Sequence, residues 1–466
     1  MVSYTKNMTT GKPAGLIFRF ALPLMFGNIF QQLYTLVDTM VVGRALGVDA
    51  LAAVGAAEWT NWMMLGIIQG VTQGFAIKMA QEFGAGHEED LKRTIADSTL
   101  LAGVLSVILL AAGQIFVHPL MALLGTPNDI MGGALLYLRV IFLGIPVVML
   151  YNMLACILRS MGDARTPLYA MGVASAVNIV LDLIFVLVLG FGIAAAAVAT
   201  LIAQVVSSLY CLYRIKKMGG QVFLLTKKDF SLWGHSARRG KLLLLGLPMA
   251  FQNAVIAVGG MIVQSVVNDF GVIFIAGFTA TNKLYGLLEV AATSYGYTMV
   301  TYVGQNTGAG EYGRVKSGMR AALLVALATS VLIGAAMLGF GKEILSLFIS
   351  RENMEEFVQT LRVAYRYLAV MSVFLPILYV LHVVRSAVQG MGNTLLPMLS
   401  GVAEFLMRTL SALFLPLLVG ENGIFFAEVT AWVGADLVLV ASYIYVVRKW
   451  NKKEITKRKE QELSAE

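Results

Sequence analysis

The chain is predicted to be an all-α membrane protein of twelve transmembrane helices, arranged as two pseudo-symmetric six-helix bundles around a central cleft. Three observations predict it. Of its 466 residues 58% are hydrophobic and 13% charged, about half the charge of an average soluble domain, and the mean hydropathy is +0.76. Apolar runs of roughly 20 residues or more recur along the whole length, each able to cross a hydrocarbon core about 30 Å thick. Finally, QEFGAGHEEDLK from Gln81 returns 224 positions later from Gln305 as QNTGAGEYGRVK, with Gln, Gly-Ala-Gly and Lys at the same spacing. A repeat this distant in apolar sequence marks two copies of a membrane bundle.

The twelve runs fall at approximately 16–43, 50–77, 94–117, 134–156, 168–190, 193–213, 241–267, 272–300, 318–341, 362–386, 394–418 and 423–447. The first is too long for a cleavable signal peptide and carries Gln31, Gln32 and Asp38, so it is read as a span. It contains ALPLMFGN from Ala21, which the seventh repeats as GLPMAFQN from Gly246, with Leu-Pro and Asn in register. The second and eighth end in the two GAG copies. Their glycine segments, 84 to 86 and 308 to 310, are expected to be tight cytoplasmic turns, since no strand precedes them and no Lys-Ser or Lys-Thr follows as in a phosphate cradle. The fourth and tenth, carrying Pro146 and Pro376, end in LRSMGDARTP from Leu158 and VQGMGNTLLP from Val388. Six spans per copy is an even number, so both copies share one orientation about an axis along the membrane normal. The organisation read from this is an N-terminal lobe of residues 1–214, a linker of 215–240, a C-terminal lobe of 241–447 and a basic tail of 448–466.

The net charge of +8 raises nucleic acid as a partner, but its distribution argues for topology instead. With the runs taken as spans, 27 of the 35 Lys and Arg residues fall on one side, six on the other and two, Lys283 and Arg408, within spans. Both termini are therefore expected in the cytoplasm of a multi-pass plasma-membrane protein, the bacterial cytoplasmic membrane. The basic linker tethers the lobes, with anionic-lipid contact as a second role. Cys156 and Cys211 lie inside spans and read as small apolar residues rather than a disulfide. No nucleophilic triad, metal-ligand spacing or ATPase motif is present, so an enzyme is not expected and any active transport must draw on an ion gradient.

Acids inside spans carry the chemistry. A charged side chain near mid-bilayer costs about 2.5 to 3.5 kcal/mol on insertion scales, so it persists with a partner, water or a function. Asp38 in the first span and Asp182 in the fifth stand out, and Asn178 lies one helical turn before Asp182 on the same face. An amide beside a carboxylate donates to it or shares a bound cation with it. In the C-terminal lobe Glu404 and Arg408, four apart, read as a local ion pair among further charges at Lys283, Glu289, His382, Arg385, Glu428 and Asp436.

Taken together, FQQLYTLVDTMVVGRALG in the first span, QEFGAG and QNTGAG after the second and eighth, and RSMGDARTP and QGMGNTLLP after the fourth and tenth resemble the multidrug and toxic compound extrusion (MATE) transporters over essentially the whole chain. The resemblance implies two six-helix bundles that export organic, mostly cationic, compounds in exchange for protons or sodium ions. It is to the DinF-like branch, in which an acid in the first span, an Asn and an acid in the fifth and a Thr in the sixth form a cation site. Those positions here are Asp38, Asn178, Asp182 and Thr200. All-oxygen ligation suits sodium, and two neighbouring acids also suit a proton; the residues leave both open.

Tyr137 resembles a cavity residue of the same branch, and Gln31, Gln32, His382 and Met261 complete the candidate substrate cavity. The other large branch uses acids in the seventh and tenth spans. Here the seventh has none from Lys241 to Val267, and the tenth offers His382. No cofactor beyond the coupling ion is expected, and the expected partners are small organic cations or drugs and membrane lipids, with the protein a monomer. The alternative function is a lipid-linked saccharide flippase of the same superfamily, whose cavity would be lined by several basic residues.

Overall fold

The computed structural model describes residues 6–218, 229, 236–349 and 353–463. Most of the linker, residues 219–228 and 230–235, lies outside them, as does Arg351. Every described element is helical, as a bilayer demands, because only a helix satisfies each backbone group within its own segment. In order these are α1 (Pro13–Leu46), α2 (Val48–Ala85), α3 (Glu88–Leu123), α4 (Asn128–Leu143), α5 (Ile145–Ser160), α6 (Arg165–Asp182), α7 (Ile193–Met218), α8 (Ser236–Val267), α9 (Val272–Gly308), α10 (Tyr312–Leu345), α11 (Met354–Gly390), α12 (Leu395–Val419) and α13 (Ala427–Leu463). α4 and α5 meet at Gly144 with a 49° bend and together form one pass, which gives the twelve passes of the fold.

Among the described residues nine helices, and the bent pair as a tenth, are long and apolar enough to cross a membrane by length and composition. α2 and α9 fall short because they face the other bundle rather than lipid. Thr281, Ser294, Thr298, Thr301, Gln305 and Asn306 are all buried along α9. Outward faces elsewhere are apolar and exposed, with Leu123 83%, Leu417 78% and Leu332 72% accessible, the inverse of a soluble protein.

Duplication extends to backbone geometry. Left-handed glycines recur as Gly47 and Gly271 (φ 86 and 89), Gly86 and Gly310 (72 and 76), Gly162 and Gly392 (both 86) and Gly190 and Gly420 (66 and 76). A side chain in that region is strained, which is why glycine ends these helices. In the Met-Gly-Asp/Asn motif the left-handed Gly162 closes α5, and Asp163 then accepts from the backbone N–H groups of Arg165 and Thr166 at 2.9 and 3.0 Å to cap α6. Asn393 does the same for Leu396 at the start of α12.

Two cores result. One draws on residues from Ala53 to Ile215, with Leu242 and Ala250 of α8. The other spans Val263 to Val446 and takes in Met8, Leu16, Ile17, Phe20, Ala21 and Leu24, so the first turns of α1 pack into the C-terminal bundle. Cys156 and Cys211 are free and buried.

The bundles meet along α2 against α8 and α9. Gly70 and Gly74 sit directly on the backbone of Ala250 and Gly246. At the end that carries the chain termini the contact tightens. A Cβ on Gly84 would lie 2.0 Å from the Gln305 carbonyl oxygen, and one on Gly308 would lie 1.8 Å from that of Gln81. Gly84 and Gly308 are therefore not part of the turns expected at 84 to 86 and 308 to 310; they are helical residues whose missing side chains let α2 and α9 touch, while Gly86 and Gly310 supply the turns.

Candidate functional site

α1, α6 and α7 bring four of the expected residues together. Asp38 on α1 and Asp182 at the last position of α6 are buried, and their carboxyls lie within hydrogen-bonding reach of each other. Asn178, one turn earlier on α6, donates through Nδ2 to Thr200 Oγ1 on α7 at 3.4 Å. Thr200 in turn donates to the Ala196 carbonyl at 3.2 Å. The amide's own oxygen, Asp38 Oδ1 and both Asp182 carboxyl oxygens are buried with no hydrogen-bond partner among the described residues. Buried acceptors without a donor cost several kcal/mol in an apolar interior unless something positive joins them. A hard monovalent cation with oxygen ligands, or a proton between the carboxyls, fits that set. Among the described residues no cluster of three or more His, Cys, Asp or Glu side chains forms, so a transition-metal set is not built here.

Local structure positions the pair. Directly after Asp182 the helix widens into a π-helical segment, Leu183–Val188, in which the Leu189 N–H reaches back to Ile184 at 2.9 Å. Such π-segments concentrate at functional sites because they re-aim side chains inside a helix. Asp38 follows Pro23 by fifteen positions on the unbroken α1, and Pro23 removes one helical hydrogen bond below it.

Of the expected cavity residues, Tyr137 on α4 is buried within electrostatic range of Asp38 and Asp182. Tyr34 on α1, which the sequence reading missed although it lies one turn before Asp38, shares that range. Gln31 and Gln32 are half-buried, and Gln32 is turned toward Gly286 of α9 across the bundle interface. His382 stands apart from the acids, on α11, with Nε2 3.5 Å from Glu289 of α9. Met261 on α8 is half-buried and joins neither group.

Other groups extend the local pair expected at Glu404 and Arg408. Arg408 Nη2 bonds Glu404 at 3.0 Å and Glu428 at 2.7 Å, and Arg385 of α11 bonds the second oxygen of Glu404. Lys283 of α9 lies 3.6 Å from Glu58 of α2, an ion pair between the bundles that no local pattern in the sequence announces.

At the termini end the repeated motif forms a reciprocal clasp. Gln305 Nε2 donates to the Ser160 carbonyl at 2.8 Å, and Gln81 Nε2 donates to the Gly390 carbonyl at 3.2 Å. The N-terminal strap completes one half of it. Met8 N–H donates to Gln305 Oε1 at 2.8 Å, and its carbonyl accepts from Asn306 and Arg314, each at 3.2 Å.

Comparison with known proteins gives one consistent answer. A family model described as MatE matches twice, over residues 23–184 and 248–413, one match per lobe. The chain is 29% identical to the probable multidrug resistance protein YpnP of Bacillus subtilis (strain 168) over 420 residues, covering 90% of this chain and 92% of that protein. To the probable multidrug resistance protein YoeA of the same organism it is 29% identical over 368 residues, 75% of each. In fold it is similar to a MOP superfamily transporter from Pyrococcus furiosus, with TM-score 0.86 at 24% identity over 96% of this chain and 97% of that one. Twelve helical passes in a duplicated bundle, matched by the family model in both halves, identify the chain as a member of the MatE family of multi-pass multidrug-efflux membrane transporters.

Proposed function

We propose that the protein exports amphipathic organic compounds, mostly cations, in exchange for protons or sodium ions by alternating access between its two bundles. The observation that carries this reading is the pair Asp38 and Asp182, in which Asp38 Oδ1 and both Asp182 oxygens are buried without a hydrogen-bond partner among the described residues. Two carboxylates in contact repel far more strongly in a dry interior than in water, so the pair holds a positive partner through part of the cycle. Asp38 belongs to α1 and Asp182 and Asn178 to α6, with Thr200 on α7, so loading the ion draws three helices of one bundle together. Repacking of α1 about Pro23 then narrows the cavity and lowers its hold on a bound cation, which leaves outside.

Tyr34 and Tyr137 offer aromatic faces to a cationic guest beside the acids. The glutamine clasp, at the end read as cytoplasmic, closes the path to that side while the guest departs and parts when the bundles rock. The lobes divide near residues 214 and 241, both termini are cytoplasmic, and the protein works as a monomer in the bacterial cytoplasmic membrane. A saccharide-lipid flippase finds less support, because Arg385 and Arg408, the arginines buried in the C-terminal bundle, are both neutralised by glutamates.

Purified protein in liposomes, assayed for movement of ethidium or norfloxacin under an imposed pH or sodium gradient, tests the reading. Gradient-driven movement that Asp38→Asn abolishes supports it. Movement of a lipid-linked sugar alone, or an ungated conductance, replaces it with another function.

A further inference from the structure

The duplication fixes a residue-by-residue register between the lobes, and the site of the N-terminal lobe has a counterpart that the register identifies. From the fourth pass onward the offset is 230 positions, set by Gly162 with Gly392, Gly190 with Gly420 and the starts of α6 and α12 at Arg165 and Leu395. In that register Asn178 falls on Arg408, Thr200 on Thr430, Tyr137 on Tyr367 and Asp182 on Ala412. The Pro23 and Pro248 register of α1 and α8, kept by Asn28 and Asn253, puts Asp38 on Val263. Thus the C-terminal lobe has exchanged both acids for apolar residues and the amide for a guanidinium. In the same register Glu404 stands where the other lobe has Ala174, Glu428 where it has Val198, and Arg385 where it has Ala155.

The geometry of the set repeats that of the first site. Asp38, Asn178 with Asp182, and Thr200 tie α1, α6 and α7. Arg408, 5% exposed, bonds the Ile256 carbonyl of α8 at 3.2 Å, Glu404 of α12 at 3.0 Å and Glu428 of α13 at 2.7 Å, which are the three counterpart helices. Its partners are all oxygens. The charges of the four bonded groups, Arg385, Arg408, Glu404 and Glu428, sum to zero. Thr430 no longer serves the site and bonds Ser411 instead, at 2.7 Å.

We propose that the C-terminal lobe carries a second cation site of the same construction, filled permanently by its own side chain. The Arg408 guanidinium stands where the N-terminal lobe takes an exchangeable small cation. This rests on the reading of Asp38 and Asp182 as a cation site and deepens it. One lobe cycles between loaded and empty packing; the other is held loaded by a tethered charge, so only one of the two counterpart sites exchanges an ion in each cycle. A tether cannot diffuse away, and the asymmetry confines coupling to α1, α6 and α7.

The test is thermal unfolding of the purified full chain carrying Asp38→Asn, which silences the first site. With Arg408 intact, neither sodium nor ethylguanidinium is expected to raise the midpoint over choline at matched ionic strength. With Arg408→Ala added, both are expected to raise it saturably at millimolar concentration, because a ligand that binds only the folded state stabilises it, and adding Glu428→Gln is expected to remove the sodium effect. Arg385→Ala, a buried arginine with no place in the first site, is expected to respond to ethylguanidinium and not to sodium. A folded Arg408→Ala variant indifferent to sodium overturns the proposal. Sodium stabilisation of Asp38→Asn with Arg408 intact overturns it as well, and needs no change at the buried cluster. Retention of ion-coupled transport by Asp38→Asn would instead remove the first site's role while leaving the sodium response of the Arg408→Ala variant to be read by itself.

Discussion

Gln305 donates to the Ser160 carbonyl across the bundle interface at 2.8 Å, and its partner in the repeat, Gln81, makes the corresponding bond to Gly390 at 3.2 Å. The two bonds differ in what surrounds them. Gln305 is fully buried and also receives the Met8 N–H at 2.8 Å, whereas Gln81 is only partly buried.

Gln305→Ala is therefore expected to loosen the termini end more than Gln81→Ala. It leaves the Met8 N–H and the Ser160 carbonyl without this partner, and a buried group so orphaned costs about 1–3 kcal/mol. Spin labels at Glu89→Cys and Glu311→Cys, exposed in the first turn of α3 and just before α10, should report a longer mean distance in Gln305→Ala. Equal distances in both variants and the parent would show that the clasp does not hold the bundles.

The reciprocal glycines make a sharper case. Any side chain at Gly84 or Gly308 meets a backbone carbonyl at 2.0 or 1.8 Å, which cannot give way as a flexible side chain does. Gly84→Ala and Gly308→Ala are each expected to separate α2 from α9 at that end and to slow transport at least about tenfold, the effect of a barrier change near 1.4 kcal/mol. Gly15→Ala, where the added methyl meets nothing within 4 Å on a helical segment, is expected to be neutral or to stabilise by up to about 1 kcal/mol. Transport rates and unfolding midpoints of the three variants check this.

In the C-terminal bundle, Glu404→Gln takes a shared carboxylate from two buried arginines, Arg385 and Arg408. Breaking a buried pair on one side costs about 3–5 kcal/mol because a charge stays behind. A large drop in the unfolding midpoint is expected, and it should exceed that of Glu58→Gln. The Glu58 pair with Lys283 is 46% and 40% exposed, and such exposed pairs contribute about 0–1 kcal/mol. Similar midpoints for the two variants would contradict the packing described here.

At the first site, Asn178→Ala removes both the bond to Thr200 and a buried, unpartnered amide oxygen on the residue one turn before Asp182, while Thr200→Val removes one hydroxyl. The amide variant is expected to raise the coupling-ion concentration for half-maximal transport by about tenfold, and the valine variant by less. A sodium and pH titration of transport in liposomes measures both, and a larger effect at Thr200 would reverse the assigned weights.

Periodicity and repetition made the architecture legible. Apolar runs marked the passes, and the Gln-Gly-Ala-Gly, Leu-Pro and Met-Gly pairs marked the two halves, because a duplicated fold keeps the residues its backbone needs. Asp38, Asn178 and Asp182 were legible because a carboxyl in hydrocarbon is conspicuous and a one-turn spacing fixes a shared face. What lies between bundles was not. Gly84 reads as a turn residue until α9 is seen against it, and Glu58 with Lys283, 225 positions apart, has no local pattern. The same limit hid the pairing of Glu428 with Arg408: the spacing of Glu404 and Arg408 gave a pair on one helix, and only packing of α13 on α12 brings in the other carboxylate. Met8 was invisible because a strap before the first helix has no periodicity; its place comes from the acceptor and donors it meets at Gln305, Asn306 and Arg314.

Ethidium efflux from liposomes with the sodium and pH gradients imposed one at a time, comparing the parent with Asp38→Asn and Asp182→Asn, measures whether the acidic pair couples ion to guest. One of the two gradients is expected to drive accumulation in the parent, and either substitution is expected to remove this while ethidium-for-ethidium exchange continues. Gradient-driven accumulation persisting in both variants would contradict that coupling.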